Sequence, residues 1–481
     1  MSEVVLIHPG AQQVIYGDLS REQTAIEPPT WTRMIAGWLR DHGHSVAIID
    51  QEAEGLSPVQ VAERVCDISP ALAVIVVYGH QPSASTQQMV GASDIAKALK
   101  SIASVKTIMV GNHPSALPER TLREEPVDYV CDGEGPVTIA GLLNGARAKA
   151  SIPGLVYWDN GEVNRNHTAP LIPIDELHGD VWDLLPMDKY RAHTWQCLDG
   201  SPRQPYASIY TTLGCVFSCS FCCINVFQHS NQYRRRTPAK VVEQVKHLYE
   251  NYGVRTLKIA DEMFVLDPSH YLRVCEGLAK LSFAHEVNIW AYARIDTVKP
   301  DTLNLLRSAG IRWLALGIES GLSYVRDGAL KHLDDQDIHE TVRKIQDAGI
   351  NVIGNFIFGL PNDTLESMQA TLELAKSLNL EFANFYGAQA YPGSKLFDQT
   401  DSKDLPESWS GYSQHSLDCK PLPTKTLSST DVLRFRDQAF IYYFTDECYL
   451  ESVERKFGLA AIEHILSMTL QPLPRKLLLE S

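Results

Sequence analysis

The 481-residue chain lacks the features that mark membrane, secreted and nucleic-acid-binding proteins. No apolar run is long enough to cross a bilayer, which needs about 20 residues. The N-terminus, Met1 to Pro9, carries an acidic residue and only a short apolar run, so it predicts a first strand and not a signal peptide. The formal net charge of −15 leaves no excess of Lys and Arg for non-specific contact with nucleic acid. We therefore expect a cytoplasmic protein with neither a membrane nor a nucleic-acid partner.

The ten cysteines lack the paired spacing of a disulfide framework or a structural zinc site. Structural zinc usually takes four N or S ligands from two separated pairs, so zinc is the weaker interpretation here. Scattered single cysteines are typical of buried structural thiols in a reduced compartment. Six cysteines are of this kind: Cys66, Cys131, Cys197, Cys275, Cys419 and Cys448.

The other four cysteines are concentrated in one short loop. A [4Fe–4S] cluster normally takes four Cys ligands, so three cysteines so close together suit a cluster whose fourth iron binds something other than protein. Two sets of three are possible, because Cys215 and Cys219 can combine with either Cys222 or Cys223. The loop reads Gly214-Cys215-Val216-Phe217-Ser218-Cys219-Ser220-Phe221-Cys222-Cys223.

This loop closely resembles the radical SAM signature. The resemblance implies that Cys215, Cys219 and Cys222 hold a [4Fe–4S] cluster whose open iron binds S-adenosylmethionine (SAM). We favour Cys222 over Cys223 because Phe221 then occupies the aromatic position of the family. One-electron reduction, by a flavodoxin- or ferredoxin-type partner, would release a 5′-deoxyadenosyl radical.

The first 140 or so residues alternate apolar runs of strand length with helical stretches, which predicts a Rossmann-like, doubly wound parallel sheet. The segments 111–119 and 128–135 resemble the cobalamin (B12)-binding domain that precedes many radical SAM barrels. The resemblance implies cofactor contacts at Ser83, Gly111, Asn112 and Gly133. The Asp-x-His-x-x-Gly motif that supplies a cobalt ligand is absent. Asn112 stands where the family commonly has glycine, so its side chain could crowd the nucleotide slot, and an empty scaffold domain stays an open alternative.

A second βα series begins near residue 206 and predicts a partial (βα)6 barrel. We expect four regions: the Rossmann-like domain over 1–150, a linker with a short hairpin over 151–200, the barrel over 201–400 and a helical cap over 401–481. The aromatic-rich helix in the last region would either close the open barrel or pack against its side. The expected barrel strands are 208–213, 256–260, 286–291, 313–318, 352–358 and 382–389.

Polar side chains follow these strands, where a barrel carries its reactive groups. The pattern resembles the radical SAM barrel, including its turn at Gly317-Ile318-Glu319-Ser320-Gly321. The resemblance implies that Arg294 and Glu319, with Ser320 beside them, hold SAM, and that the backbone near Phe221 meets adenine. We expect Asp261 and Glu262 to be catalytic carboxylates. Further polar groups at the strand ends are Asp296, Asn355, Gln389 and Tyr391.

The resemblance implies hydrogen abstraction from an unactivated carbon, with methylcobalamin then donating a methyl group. The substrate is expected to be a polar metabolite, such as a sugar or an intermediate of antibiotic biosynthesis. A second possibility is cobalamin-independent dehydration of a diol, since the chain also resembles the radical SAM diol dehydratase of aminoglycoside biosynthesis and has acidic residues for a polycation. A third, from another class, is a non-catalytic Fe–S electron carrier.

Overall fold

The computed structural model describes residues 2–17, 24–79, 81–145, 148–333, 335–471 and 473–479. The N-terminal part is built on a seven-stranded sheet of order β2-β1-β3-β4-β5-β6-β7, in which the first five strands are parallel. Its elements are β1 (Val4–His8), α1 (Gln12–Tyr16), α2 (Thr30–Asp41), β2 (Val46–Asp50), α3 (Gln51–Glu54), α4 (Pro58–Ile68), β3 (Leu72–Val77), α5 (Ser85–Ile102), β4 (Lys106–Gly111), α6 (Asn112–Ala116), α7 (Pro118–Glu124), β5 (Tyr129–Cys131), α8 (Pro136–Leu143), β6 (Leu155–Asp159) and β7 (Glu162–Arg165).

The doubly wound parallel sheet predicted from the sequence is confirmed. Its central strands β1 and β3 are wholly buried apolar runs, as strands covered on both faces must be. The predicted hairpin is also present, but β6 pairs antiparallel with β5 and adds two strands to this sheet. The first sheet therefore continues past residue 150, where the sequence placed the start of a linker.

The second part is a six-stranded parallel sheet of order β8-β11-β12-β13-β14-β15, as the predicted partial barrel requires. Its elements are β8 (Tyr206–Ile209), β9 (Thr212–Leu213), β10 (Arg234–Arg235), α9 (Pro238–Tyr252), β11 (Thr256–Ile259), α10 (Pro268–Ala279), β12 (Asn288–Arg294), α11 (Leu303–Ser308), β13 (Ile311–Glu319), α12 (Ser323–Gly328), α13 (Asp335–Asp347), β14 (Asn351–Phe358), α14 (Leu365–Leu378), β15 (Phe382–Gly387) and α15 (Lys395–Gln399).

The first predicted barrel strand, 208–213, is divided into β8 and β9. The break falls at Thr211, whose backbone N–H and hydroxyl both donate to the Asp261 carboxylate. Thr211 therefore bonds to the Asp261 side chain and not to the backbone of the neighbouring strand, so the β-ladder of β8 stops there. The chain then turns into the cysteine loop, and β9 pairs with β10 on the far side of that loop.

The lower, N-terminal end of the barrel is closed by the connecting segment at Thr194–Cys197. The Gln196 side chain donates to the backbone oxygens of Leu257 and Asn288 at 3.2 and 3.1 Å. The Trp195 ring packs edge-on against Trp290, with ring centres 5.4 Å apart. This region predicted as a linker therefore serves as the floor of the barrel.

The C-terminal helices are α16 (Ser429–Phe444), α17 (Glu447–Phe457), α18 (Leu459–Thr469) and α19 (Lys476–Leu479). Helix α16 packs along β15, the last strand of the barrel sheet, and shields a strand edge that would otherwise be exposed. Arg436 donates to the Phe385 oxygen at 2.8 Å and Tyr443 donates to the Leu380 oxygen at 3.0 Å. Over the described ranges, no helix combines the length and apolarity needed to cross a membrane.

The two sheets share a buried core beside the cysteine loop. Phe227, which follows the cysteines, packs on Trp31 and Tyr78 with ring centres 4.8 and 5.9 Å away. The hydroxyls of Tyr78 and Tyr210 lie 3.2 Å apart. The N-terminal part therefore supports the loop directly.

We predict that Phe227→Ala lowers the free energy of unfolding by about 3–5 kcal/mol, the usual cost of emptying a buried aromatic site. Thermal and urea unfolding of the full chain would measure the change. Tyr442→Ala is the control, because 57% of Tyr442 is exposed and such substitutions stay within about 0.5 kcal/mol. An unchanged stability in Phe227→Ala would show that the shared core does not hold the two sheets together.

Candidate functional site

One cavity of about 1030 Å³ is lined by residues from the N-terminal sheet, the cysteine loop, the barrel interior and the C-terminal helices. The N-terminal contribution comes from residues between Gln12 and Glu52 and from the loop after β3 with the start of α5, where Gln81, Ser83 and Gln88 line the cavity. Ligands in open α/β folds bind at the carboxyl ends of strands, and this cavity takes in such ends of both sheets.

The cysteine loop begins with a glycine that no other residue could replace without strain. Gly214 has φ +87°, and a Cβ there would lie 2.1 Å from the Gln232 oxygen. Asn225 then fixes the backbone of Cys215, accepting from its N–H at 3.1 Å and donating to its oxygen at 2.8 Å. The Cys222 N–H donates to the Cys219 oxygen at 3.1 Å, which closes a turn between the two cysteines.

Cys215, Cys219 and Cys222 all line the cavity, as does Cys223, and none of the four is in a disulfide. Burial raises the pKa of Cys215 to about 11. Burial also raises the pKa of Cys219, but the Lys331 and Arg294 cations act in the opposite direction and favour the thiolate, the form that binds metal. Among the described side chains, no three His, Cys, Asp or Glu are already gathered as a metal-binding group. The ligand set therefore stays a prediction that rests on donor chemistry and shared exposure to the cavity.

Cys223 has a partner that the sequence did not reveal. The Asn112 side-chain amide donates to the Cys223 backbone oxygen at 3.3 Å and contacts its sulfur at 3.6 Å. The same amide lies 3.4 Å from the Pro82 oxygen. Because Cys223 is thereby tied to the N-terminal part, the contact favours Cys222 as the third ligand.

Two of the residues expected to hold SAM lie beside the thiols. The Arg294 guanidinium lies 3.9 Å from the centre of the Phe217 ring and pairs with Asp296 at 2.9 Å. Glu319 has φ +66°, uncommon for a residue with a side chain, and forms a buried ion pair with Lys331. Lys331 was missed, because nothing near it in the sequence indicates that the chain returns to the cavity after α12.

Ser320 and Phe221 differ in their exposure to the cavity. Phe221 lines it, as expected for a residue beside a bound group. Ser320 is fully buried and is not among the lining residues. Its hydroxyl lies 3.2 Å from that of Thr371, and its backbone oxygen accepts from Arg326 at 2.6 Å. These contacts hold the turn after β13, so the geometry assigns Ser320 a supporting position.

The adjacent carboxylates Asp261 and Glu262 have different environments. Asp261 is fully buried, accepts from Thr211 and is not among the lining residues. Glu262 lines the cavity, and its Oε2 accepts from the Gly214 N–H at 3.2 Å. Its Oε1 is buried with no hydrogen-bond partner in the described structure, and burial raises the pKa to about 8. Burial therefore favours the neutral form of Glu262.

A cluster of amides and a phenol forms another polar part of the wall. Asn384 donates to the Asn355 side-chain oxygen at 3.0 Å, and the Tyr386 hydroxyl lies 3.4 Å from the same oxygen. Sequence analysis found Asn355 but not the other two, which the strand pairing of β14 with β15 brings beside it. Gln389 and Tyr391 also line the cavity, and Gln389 donates to the Gly411 oxygen at 3.3 Å.

The predicted cobalamin contacts fall into two groups. Ser83 lines the cavity, whereas Gly111, Asn112 and Gly133 are not among the lining residues. Gly111 has φ +134°, and a Cβ there would lie 2.1 Å from the Val77 oxygen, so the position excludes any side chain. The Gly133 N–H donates to the Ser115 hydroxyl at 3.0 Å. His80 lies outside the described residues.

Comparison with known proteins matches the barrel part and the N-terminal part of the chain to two different families. The model of the radical SAM superfamily matches residues 209–375, and the model of the B12 binding domain matches residues 21–143. Residues 209–375 are therefore a radical SAM domain, and residues 21–143 are a B12 binding domain. The radical SAM part contains the cysteine loop and β11 to β14, and the B12 binding domain covers most of the N-terminal sheet.

Similar proteins share both parts of the radical SAM chain. An uncharacterized methyltransferase of Pyrococcus horikoshii is 28% identical over 450 residues, which are 92% of each chain. The anaerobic magnesium-protoporphyrin IX monomethyl ester cyclase of Cereibacter sphaeroides is 24% identical over 89% of this chain and 68% of its own. The structure of the radical SAM methyltransferase TsrM from Kitasatospora setae, with cobalamin and a [4Fe–4S] cluster, aligns with TM-score 0.64 and 18% identity over 82% of this chain and 74% of its own.

The cofactors of this radical SAM enzyme are a [4Fe–4S] cluster, SAM and cobalamin. The residues present fit them. Three thiols on one loop suit the cluster, and the side-chain-free position at Gly111 suits a close approach of backbone and ligand. The Gln88 Oε1 is buried and has no hydrogen-bond partner in the described structure, so it offers an acceptor on the cavity side of α5.

We predict that changing Cys215, Cys219 and Cys222 together to Ala abolishes both the [4Fe–4S] spectrum and the cleavage of SAM to 5′-deoxyadenosine after anaerobic reconstitution. Iron analysis, absorbance and chromatography would measure this. In single variants, Cys222→Ser should lose the cluster, whereas Cys223→Ser should keep it. Cys448→Ser, at an exposed position, is the control. Wild-type cleavage in the triple variant would refute the ligand set, and the reverse result in the single variants would move the third ligand to Cys223.

We also predict that Lys331→Met destabilises the protein by about 3–5 kcal/mol, because Glu319 would remain buried without its counter-charge. Loss of the cation beside Cys219 should also reduce iron retention. Lys344→Met is the matched control, since its pair with Glu340 is largely exposed and such pairs contribute about 1 kcal/mol at most. Equal unfolding midpoints and iron contents for the two variants would contradict the prediction.

Proposed function

We propose that this enzyme is a cobalamin-dependent radical SAM methyltransferase that methylates an unactivated carbon of a small molecule held in the cavity. One observation carries the proposal: the cysteine loop, the Gln81–Gln88 side of the B12 binding domain and the barrel interior all line the same cavity. The groups that would hold the two cofactors and the substrate therefore face one another. The similar uncharacterized methyltransferase from Pyrococcus horikoshii supports the reaction type.

The bound cofactors supply a 5′-deoxyadenosyl radical and a methyl group, and the protein positions the substrate between them. We assign Arg294 to the SAM carboxylate, because its guanidinium lies beside the thiols and over Phe217. Positioning matters because a misplacement of about 1 Å can reduce the rate about a hundredfold. Glu262 would contact the substrate as a neutral acid, whereas Asp261 would order the end of β8 through Thr211.

The alternative of diol dehydration rested on a resemblance to the radical SAM diol dehydratase and on Asp261, Glu262 and Glu319 at the barrel mouth, which would suit a polycation. The structure engages two of them internally, Asp261 with Thr211 and Glu319 with Lys331. Burial favours the neutral form of the third, Glu262. Methyl transfer is therefore the function that the site supports better. The cytoplasmic location and the flavodoxin- or ferredoxin-type reductant remain parts of the proposal.

We predict that protein reconstituted with hydroxocobalamin retains close to one corrinoid per chain after desalting. Gly111→Ala should lose it, because the added Cβ would lie 2.1 Å from the Val77 oxygen and displace the loop. Gly161→Ala is the matched control, since that glycine also has positive φ but nothing lies within 4 Å of the added Cβ. Absorbance and cobalt analysis would measure retention.

The Asn112→Gly variant distinguishes two roles of the Asn112 side chain, which are crowding of the corrinoid and support of Cys223. Stronger corrinoid binding would mean that the side chain crowds the cofactor, whereas unchanged corrinoid binding with a less stable cluster would mean that it mainly supports Cys223. A corrinoid-free protein that still converts its substrate would refute the methyltransferase proposal and favour dehydration.

A further inference from the structure

The cavity extends from the residues that would face the cofactors towards the N-terminal ends of the barrel strands. Trp290 lines it and lies four positions before Arg294 on β12, which is about 13 Å along a strand. Phe382, the first residue of β15, lines the cavity as well. We call this part the lower chamber and define it by Trp195, Trp290, Tyr292, Ile353 and Phe382, all of which line the cavity.

The lower chamber presents aromatic surfaces at different angles. Trp195 lies 5.4 Å from Trp290 at 77° and 6.0 Å from Phe382 at 29°. Trp290 lies 5.0 Å from Tyr292 at 66°. A flat ring entering the chamber can stack on one of these rings and meet another edge-on, the two arrangements that aromatic pairs prefer. The hydroxyls of a sugar would lose water against these faces, at a cost of about 1–3 kcal/mol for each unpaired group.

Several charged groups that line the cavity are paired with an opposite charge within the protein. Lys258 and Glu27 form an ion pair at 3.0 Å beside the Trp290 ring, and both are almost fully buried. A charged substrate would have to compete for partners already engaged, in surroundings where an uncompensated charge is costly. Lys331 and Glu319 form a second buried pair, whereas Arg294 with Asp296 and Arg436 with Asp437 are pairs whose carboxylates are partly exposed.

Hydrogen bonding to a substrate is concentrated at one side of the lower chamber. Asn384 is two positions beyond Phe382 on the same strand, so its side chain lies on the same face of the sheet. It forms a cluster with Asn355 and Tyr386, and all three line the cavity. A ligand in the chamber would therefore find aromatic contacts from these rings and hydrogen-bond partners at the Asn384 edge, with the Lys258–Glu27 pair beside Trp290 already engaged.

We propose that the substrate is a neutral, flat aromatic ring system with a hydrogen-bonding group at one edge, bound with its rings in the lower chamber and that edge towards Asn384. This inference rests on the proposed function for its claim that the cavity holds the substrate. It narrows the polar metabolite expected from the sequence, because Asp261 and Glu319 are engaged within the protein, while Glu262 still lines the cavity.

The test uses four probes and the full chain reconstituted with cluster, SAM and cobalamin. The probes are 2-naphthol, 2-naphthoate, 2-naphthylmethylammonium and the aminoglycoside fragment neamine. They compare a neutral ring, the same ring with either charge, and a polycation. Equilibrium dialysis would give the dissociation constants. We expect 2-naphthol to bind at least about tenfold more tightly than either charged naphthalene, and neamine not to displace it.

Two variants locate the binding. Phe382→Ala removes a ring from the chamber, and Ala315→Leu fills space in it, since Ala315 lines the cavity. Each should weaken 2-naphthol binding about tenfold or more, while the control Tyr442→Ala should not change it. Thermal unfolding would confirm that both variants are folded. Failure of 2-naphthol to bind at millimolar concentration, binding of a charged probe within threefold of it, or wild-type binding in both variants would overturn the proposal.

The triple Cys215, Cys219 and Cys222 variant separates this inference from the proposed function. Binding of 2-naphthol should persist there, because the lower chamber contains none of the three cysteines. Persistent binding in a wild-type protein that does not cleave SAM would refute the proposed function and leave the chamber assignment intact. SAM cleavage and corrinoid retention without any preference for the neutral ring would refute the chamber assignment alone.

Discussion

Phe227 packs on Trp31 and Tyr78, and this contact fixes the cysteine loop relative to both sheets. The loop extends away from β9 and has little secondary structure of its own, so its geometry depends on what it packs against. On the cavity side it is tied to the B12 binding domain through Asn112 and Cys223. The distance between the two cofactor sites is therefore set by a buried core and not by a flexible linker, which is what a reaction between two bound groups requires.

The same packing explains why the cavity is neutral overall. The residues between the two parts are withdrawn from water, so any charge there must be paired within the protein. Lys258 on β11 is paired with Glu27, which precedes α2 and so belongs to the other part of the molecule. This ion pair links the two parts and also closes one side of the barrel interior. The proposed preference for a neutral substrate would follow from how the parts are joined.

Much of the architecture could be predicted from the sequence, because it follows from local patterns. Buried apolar runs predicted both parallel sheets, and the close spacing of the cysteines predicted their loop. The residues that were missed, Lys331, Asn384 and Tyr386, reach the site through tertiary contacts that leave no periodicity or motif. The hairpin predicted within residues 151–200 is present, but only strand pairing shows that β6 and β7 extend the first sheet.

Asp261 and Glu262 show most clearly that residue type alone does not predict the role of a side chain. Both are acidic, adjacent and at a strand end, so the sequence gives them the same expectation. Their side chains take different directions after β11: Asp261 turns to the Thr211 backbone, and Glu262 turns to the cavity. By breaking the ladder at Thr211, Asp261 lets the chain leave the barrel and form the cysteine loop that begins at Gly214. Gly214 in turn donates to Glu262. One carboxylate thus helps to shape the loop that the other contacts, and the pair acts through this geometry and not as two equivalent acids.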